Sequence, residues 1–365
     1  MSIFVDFHVL QTVPPSCVNR DDTGSPKTAV YGGATRARVS SQAWKHAMRK
    51  EFIKLFSDDK LASRTKHVVE MIEKEMREIN PALKDELHKD EIHAKALKAF
   101  DEIGLKVKKP KKDKPEEADA LFFMSNMQAK EIARIMLDEN LKDKERKDAL
   151  VKAMQGNQSV DIALFGRMLA SNPELNSDAT SQVAHAISTH AVQNEYDYFT
   201  AVDDLQSDDN AGAGHLGTVE FNSSTLYRYA NINITELAGI IGKDCTPETV
   251  SNFAKAFICS MPTGKENTFA NRTFPDAVYV TIRKDQPMNL CGAFEKPIPK
   301  SHDGYVENSV KQLAEYAGSV YENFGASPEY AYCIGNGMSS IAEQLSMPKL
   351  LSALEESVSE CLNEV

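Results

Sequence analysis

The sequence predicts an α+β fold carrying a long helical insertion, and three patterns along its 365 residues predict it. Residues 3–10 place Ile3, Val5, Phe7 and Val9 at alternate positions, the period of a strand with one buried face. Residues 58–155 are densely charged and set their apolar residues at helical spacing instead. Val68, Ile72, Met76 and Ile79 form one stripe there, and Ile132, Ile135 and Met136 belong to another helix. Beyond residue 155, short apolar segments separated by turn residues return.

Taken in order, the first strand leads into a loop rich in Pro, Asn, Asp and Gly that runs through Gly32-Gly33. A strand follows in which Arg36, Arg38 and Ser40 share a side, because side chains alternate. Ser40-Ser41 then caps a helix with Trp44, Met48, Phe52 and Leu55 on one face. Within the insertion, KVKKPKKDKPEE (106–117) combines two prolines with dense charge and reads as a mobile, solvated loop. Val160 to Phe165 reads as a buried strand, and the segment holding Ala184, His185 and Ile187 as a helix. Residues 194–224 form two extended segments around a polar, Gly-rich tip, and 225–234 make a further strand. Thr246-Pro247-Glu248 opens a helix, with Thr as cap and Pro in the first turn. Ala277 to Ile282 closes the pattern as a strand, and helices over 305–323 and 347–362 pack onto the core. With the insertions set aside the order is βαββαβ, that of a modified ferredoxin-like or RRM-like sheet with helices on one face. The organisation expected is a core of 1–57, 156–193 and 225–365, a helical insertion over 58–155 and a hairpin over 194–224.

Composition bounds the chemistry. The six cysteines form no CxxC pair and no Cys/His cluster, which argues against a disulfide framework or a zinc site and fits the reducing cytoplasm. No apolar run approaches membrane-spanning length, so no membrane role is expected. The net charge is −11, yet residues 1–50 hold seven Lys/Arg against three Asp/Glu. That end carries +4 and the rest −15, so the acidic total does not exclude nucleic acid. GAGHLG (212–217) matches the dinucleotide pattern, but a polar segment precedes it and TVEFNSS follows, where a strand and a helix are required. A hairpin tip explains those glycines. Walker A, GxSxG, HExxH and EF-hand patterns are absent; His185 and His190, five apart, do not share a helical face. No cofactor, metal site or catalytic centre is expected.

What remains is the basic segment 19–50. Arg36, Arg38 and Ser40 lead into a helix whose N-terminal amides suit a phosphate, and Gln42, Lys45 and Arg49 cluster to one side of its apolar stripe. Strand, cap and helix thus converge on a backbone track. No RNP1-like aromatic run is present, which favours phosphate contacts that carry no base information.

Several strings carry a resemblance: PSCVNRDD (15–22), VYGGATRARVSSQAWKHAMRK (30–50), SVDIALFGRM (159–168) and VAHAISTHAV (183–192). YFTAVDDL (198–205), HLGTVEF (215–221) and YRYANIN (227–233) continue it in the same order. The chain resembles the backbone subunit of the type I-E Cascade complex, the CasC family of CRISPR antiviral defence. The resemblance implies a hand-like molecule with an RRM-like palm, helical fingers and a hairpin thumb. Its partners would be the CRISPR guide RNA, further copies of the chain stacked head to tail, and target DNA through the guide. Small, large, guide-end capping and guide-processing subunits would complete the complex. By resemblance, Arg20, Lys27, Ser40, Gln42, Lys45 and Arg49 are phosphate and ribose contacts, and Lys265 in PTGKEN is a further one. Met168, after Gly166-Arg167, and Leu216, after His215, would be apolar wedges beside a displaced nucleotide. Relatives in type III complexes cut RNA with an early-loop aspartate, and Asp21 or Asp22 with a metal is the alternative here.

Overall fold

The N-terminal alternation is realised as β1 (Phe4–Ser16) in the computed structural model, which describes residues 2–108, 117–118, 121–156, 158–169, 172–201 and 215–364. Residues 109–116 of the Lys-rich loop and 202–214 of the hairpin tip lie outside the described residues. After β1 come β2 (Thr28–Tyr31), β3 (Ala34–Val39) and α1 (Ser41–Leu55). The insertion holds β4 (Ala62–Thr65), α2 (Val68–Ile79), α3 (Lys89–Glu102), β5 (Val107–Lys108), β6 (Glu117–Ala118), β7 (Phe122–Ser125), α4 (Asn126–Leu137) and α5 (Asp143–Gln155). Then follow α6 (Val160–Phe165), β8 (Ser181–Val183), β9 (Ala186–Ser188), β10 (Glu195–Ala201) and β11 (His215–Asn233). The chain continues through α7 (Ile234–Ile241), α8 (Thr246–Cys259), α9 (Glu266–Phe269), β12 (Ala277–Arg283), α10 (Val306–Phe324), β13 (Tyr330–Ile334), β14 (Glu343–Gln344) and α11 (Met347–Asn363). Among the described residues no helix is long and apolar enough to cross a membrane.

Contacts divide the chain into two compact units: Met1–Glu51, Val183–Thr235 and Val250–Val365 form one, Phe52–Gln182 and Glu236–Thr249 the other. The first is built on a sheet ordered β14-β13-β12-β1-β11-β9-β3-β2, in which every neighbouring pair but β13–β14 is antiparallel. The outer part of β11 leaves this sheet and pairs only with β10, from Glu195↔Phe221 to Ala201↔His215, as a two-stranded ribbon.

Helices cover both faces of the sheet rather than the single face expected. On one, Phe7 packs 5.4 Å from Phe253 of α8, and Trp44 of α1 joins Val13, Val39 and Leu226. The other is lined by Asp6, His8, Tyr229 and Tyr279, and Tyr279 shares a 3.0 Å hydrogen bond with Tyr321 of α10. A sheet face used for base stacking must be open; here α10 occupies it, so its buried tyrosines are core.

Asp6 lies fully buried on that face, accepting from the Tyr229 hydroxyl (2.7 Å) and from the Met288 amide (3.0 Å). Burial pushes its pKa up to about 7, against the Tyr229 and Met288 hydrogen bonds and the charge of Arg283. A raised carboxyl binds its proton more tightly when folded. Its contribution to stability is therefore fully present below about pH 4 and is lost as pH rises towards about 7, where the folded group also ionises. Asp6→Asn is expected to flatten the pH dependence of the denaturant midpoint across that window. Parallel profiles for the two proteins would show that Asp6 does not titrate there.

The second unit packs α2 to α5 around Ile72, Met76, Phe100, Ile132 and Leu150, so the predicted helical stripes are its core. Two local expectations are overturned. Val160–Phe165 is a short helix, not a strand: the Ser159 hydroxyl accepts from the Ile162 amide, and Gly166 ends it at φ 75°. A six-residue apolar run does not distinguish the two by periodicity. The segment around His185 is extended, not helical, because β9 pairs with β3 on one side and β11 on the other. Tertiary pairing overrides the helix propensity of its alanines.

Candidate nucleic-acid interface

The loop after β1 closes on itself through Asp21, whose Oδ1 accepts from the Thr23 amide (3.0 Å) and hydroxyl (2.7 Å) and from the Ser25 amide (3.0 Å). The Thr23 hydroxyl leads the contacts that hold this carboxylate below its usual range. Arg20 and Pro26 pair across the turn. A Cβ on Gly264 would stand 2.0 Å from the Val18 carbonyl oxygen, so only glycine lets the 262–265 turn lie against this loop. The next residue, Lys265, takes a left-handed φ of 52°. The charges of Arg20 and Lys265 both reach the Cys17 thiol, although burial outweighs them and pushes that thiol up. Two cations 245 positions apart in the chain thus act on the same buried thiol.

The second cluster surrounds the start of α1. Ser40 is its N-cap: the hydroxyl accepts from the Ala43 amide (3.4 Å), and its own amide donates to Asn19 Oδ1 (2.9 Å). The Ser41 amide donates to His185 Nδ1 (3.0 Å), which leaves two of the helix's orphan donors satisfied. The Arg38 amide donates to the Lys27 carbonyl (2.9 Å), and its guanidinium Nε to the Thr28 carbonyl (3.2 Å). Burial, then the charges of Arg38 and Lys27, lower the pKa of His185; because Nδ1 accepts from the Ser41 amide, the ring carries its proton on Nε2. A crevice of about 20 Å³ beside Lys27, Arg38, Asn222 and Ser224 holds no more than a water.

Along α1, Gln42 is exposed while Lys45 and Arg49 are half-buried, and burial lowers the Lys45 pKa. The pKa of His46 is depressed by burial and then by Lys50 and Arg49, a direct sign of cation density on this helix.

Two predicted contacts need correction. Arg36 is 0% exposed and donates to the carbonyls of Ser188 (2.8 Å), Phe294 (2.8 Å) and Glu295 (3.2 Å). It ties β3 and β9 to the 294–295 segment, and alternation alone had set it beside Arg38. Arg167 is 4% exposed and donates to the carbonyls of Leu175, Phe123 and Met154. Both serve as interior staples, with most of their donors committed to backbone carbonyls. Ser40 is also buried, and its part at the site is the cap.

Met168 reverses the reading that residue type alone gives. In the second unit, Arg167 and Ser177 exchange two 2.9 Å backbone hydrogen bonds, and the Leu169 amide donates to Asn176 Oδ1. This brace presents Met168 at 86% exposure. Met168→Asp is expected to leave the thermal midpoint unchanged; a large drop in midpoint would mean that it packs in the interior after all. His215 and Leu216 pair with Ala201 and Thr200 at the outer end of the ribbon. On the same ribbon, Tyr196 and Tyr198 are 67% and 65% exposed on one face, an aromatic surface that the alternation in EYDYF signals and that sequence reading missed. His185 was missed as well, since a helical assignment separated it from Ser41.

A family model described as CT1975-like protein matches residues 5–360. Among solved structures, a chain of a "CRISPR RNA-guided surveillance complex, pre-nicking" is 30% identical, with 97% of this chain and 100% of that chain covered and a TM-score of 0.81. A chain of a "CRISPR RNA-guided surveillance complex" is 29% identical over 97% of this chain and 99% of its own, with a TM-score of 0.64. None of the curated proteins matches.

Proposed function

This chain belongs to the CT1975-like protein family, and from that premise we propose that it is a non-catalytic backbone subunit of a Cascade-type surveillance complex, of type I-E, that polymerises head to tail along a CRISPR guide RNA. The observation that carries this reading is the match over 97% of the chain, at a TM-score of 0.81, to a subunit of an RNA-guided surveillance complex. The strand order β12-β1-β11-β9, antiparallel throughout, supports a ferredoxin-like palm over 1–57, 156–193 and 225–365. The packed helices of 58–155 are the fingers, and the ribbon within 194–224 is the thumb.

The basic residues divide the labour physically. Arg20 with Lys265, Lys27 with Arg38, and Gln42 with Lys45 and Arg49 hold successive phosphates, which fixes the strand without reading its sequence. Specificity passes to base pairing between guide and target DNA. Met168 and Leu216 wedge beside a displaced nucleotide, whose unstacking costs a few kcal/mol. Asp21 holds its own turn together in place of a metal, so complementary RNA incubated with the assembled complex and magnesium is expected to stay intact. Periodic cuts that vanish in Asp21→Ala or Asp22→Ala would establish the cleaving alternative.

Co-expression with a guide RNA, followed by size exclusion and nuclease protection, tests the whole reading. A large species with RNA protected in discrete lengths is expected. An RNA-free monomer, unchanged after the partner subunits are added, would overturn it.

A further inference from the structure

We propose that His185 is itself a contact of the RNA track: Nε2–H donates to a phosphate oxygen of the guide while Nδ1 holds the first amide of α1. The inference rests on the RNA-binding reading above and adds a residue that neither charge nor helix-face spacing selects. Its basis is geometric. Val39 pairs with Ala186 and Arg38 with Ile187, which sets His185 at the end of β9 alongside Ser40. The ring is exposed, and the 3.0 Å bond from the Ser41 amide occupies Nδ1. A neutral imidazole accepting at one nitrogen carries its proton on the other. Nε2 is therefore a donor whose tautomer and ring orientation are held by the helix it caps. The charges of Arg38 and Lys27 both reach the ring. An anion drawn to those two cations and to the end of α1 meets a third, oriented donor. A phosphate, rather than a base edge, is the matching group, since the two cations and the N-terminal end of α1 favour an anion.

A neutral donor and a cation leave different traces in binding. Each Lys or Arg on a phosphate releases counterions and adds about 0.7 to the salt slope on a single strand. A hydrogen bond from neutral His185 adds affinity and no slope. The test uses the full chain, a labelled single-stranded RNA of guide length and about pH 8, well above the ordinary histidine pKa. His185→Asn keeps an acceptor where Nδ1 stands and removes the outward donor. It is expected to melt like the wild type, to bind about tenfold more weakly and to keep the wild-type slope. His185→Gln keeps an outward N–H and gives up the cap; it is expected to melt lower and to bind more tightly than the Asn variant. Single-stranded DNA of the same sequence is expected to show the same relative loss.

Wild-type affinity in His185→Asn, or a loss that His185→Gln shares in full, would overturn the contact. A loss confined to RNA would assign Nε2–H to the 2′-hydroxyl and overturn the phosphate assignment. Lys45→Ala in the same assay separates the two levels. If it loses affinity and slope while His185→Asn is silent, only this inference fails. If Lys45→Ala is silent too, the RNA track itself is wrong.

Discussion

Lys45→Ala combined with Arg49→Ala is expected to lower guide affinity by roughly two orders of magnitude and the salt slope by about 1.4, two contacts at about 0.7 each. Both side chains rise from one face of α1, a turn apart, as successive phosphates require. Lys45 is also half-buried, with its pKa lowered by desolvation. A phosphate brought against a partly desolvated ammonium meets it at a lower effective dielectric, so its removal costs more than that of a fully solvated lysine. Binding isotherms at several salt concentrations give both quantities. An affinity loss with an unchanged slope would mean that the helix was distorted; an unchanged affinity would place the RNA elsewhere.

Arg228→Ala is expected to cost the first unit about 3–5 kcal/mol and to lower its thermal midpoint by roughly 10 °C. Arg228 is 1% exposed, and burial draws its pKa down to about 9, so it remains charged at neutral pH. Its guanidinium lies 3.7 Å from the centre of the Trp44 ring and donates to Gln11 Oε1 (2.6 Å) and to the Phe257 carbonyl. One side chain therefore joins α1, β1, β11 and α8. Alanine there opens a cavity, removes a desolvated cation–π contact and leaves two acceptors without a donor. Arg228→Lys keeps the charge and loses the planar stack, so an intermediate midpoint is expected. Equal midpoints for all three proteins would show that the stack makes no net contribution.

Elements whose signal is local were legible in the sequence. The alternation over 3–10 became β1, and Ser40-Ser41 began α1 with Trp44, Met48 and Phe52 buried. The stripe at Val68, Ile72 and Met76 became the core of the second unit. Failures came where distant chain decides. Nothing near Ala186 announces that β3 and β11 will flank it. Arg36 and Arg38 look alike in sequence, yet the carbonyl that claims Arg36 comes from Phe294, 258 residues away. Arg167 is claimed in the same way by Met154 and Leu175. Charge could be read; the arrival of carbonyls to occupy it could not. Met168 is the opposite case: residue type alone would bury it, and a braced turn keeps it exposed, as a wedge requires.

The staple at Arg36 and the cap at His185 bear on the order in which a growing chain acquires function. Ser41 waits for a partner 144 residues later, and the turn that brings Gly264 against Val18 is later still. β3 is not anchored until Phe294 and Glu295 have been made. A chain emerging from the ribosome therefore displays its basic N-terminal segment well before the surface that organises it. At a few residues per second to about twenty, that interval lasts tens of seconds. During it the segment has charge and no fixed shape, and on the proposed function it would hold RNA only as loosely as a polycation does. On the proposed function, selective loading on guide RNA would follow the emergence of Phe294 and Glu295 rather than that of the basic segment itself.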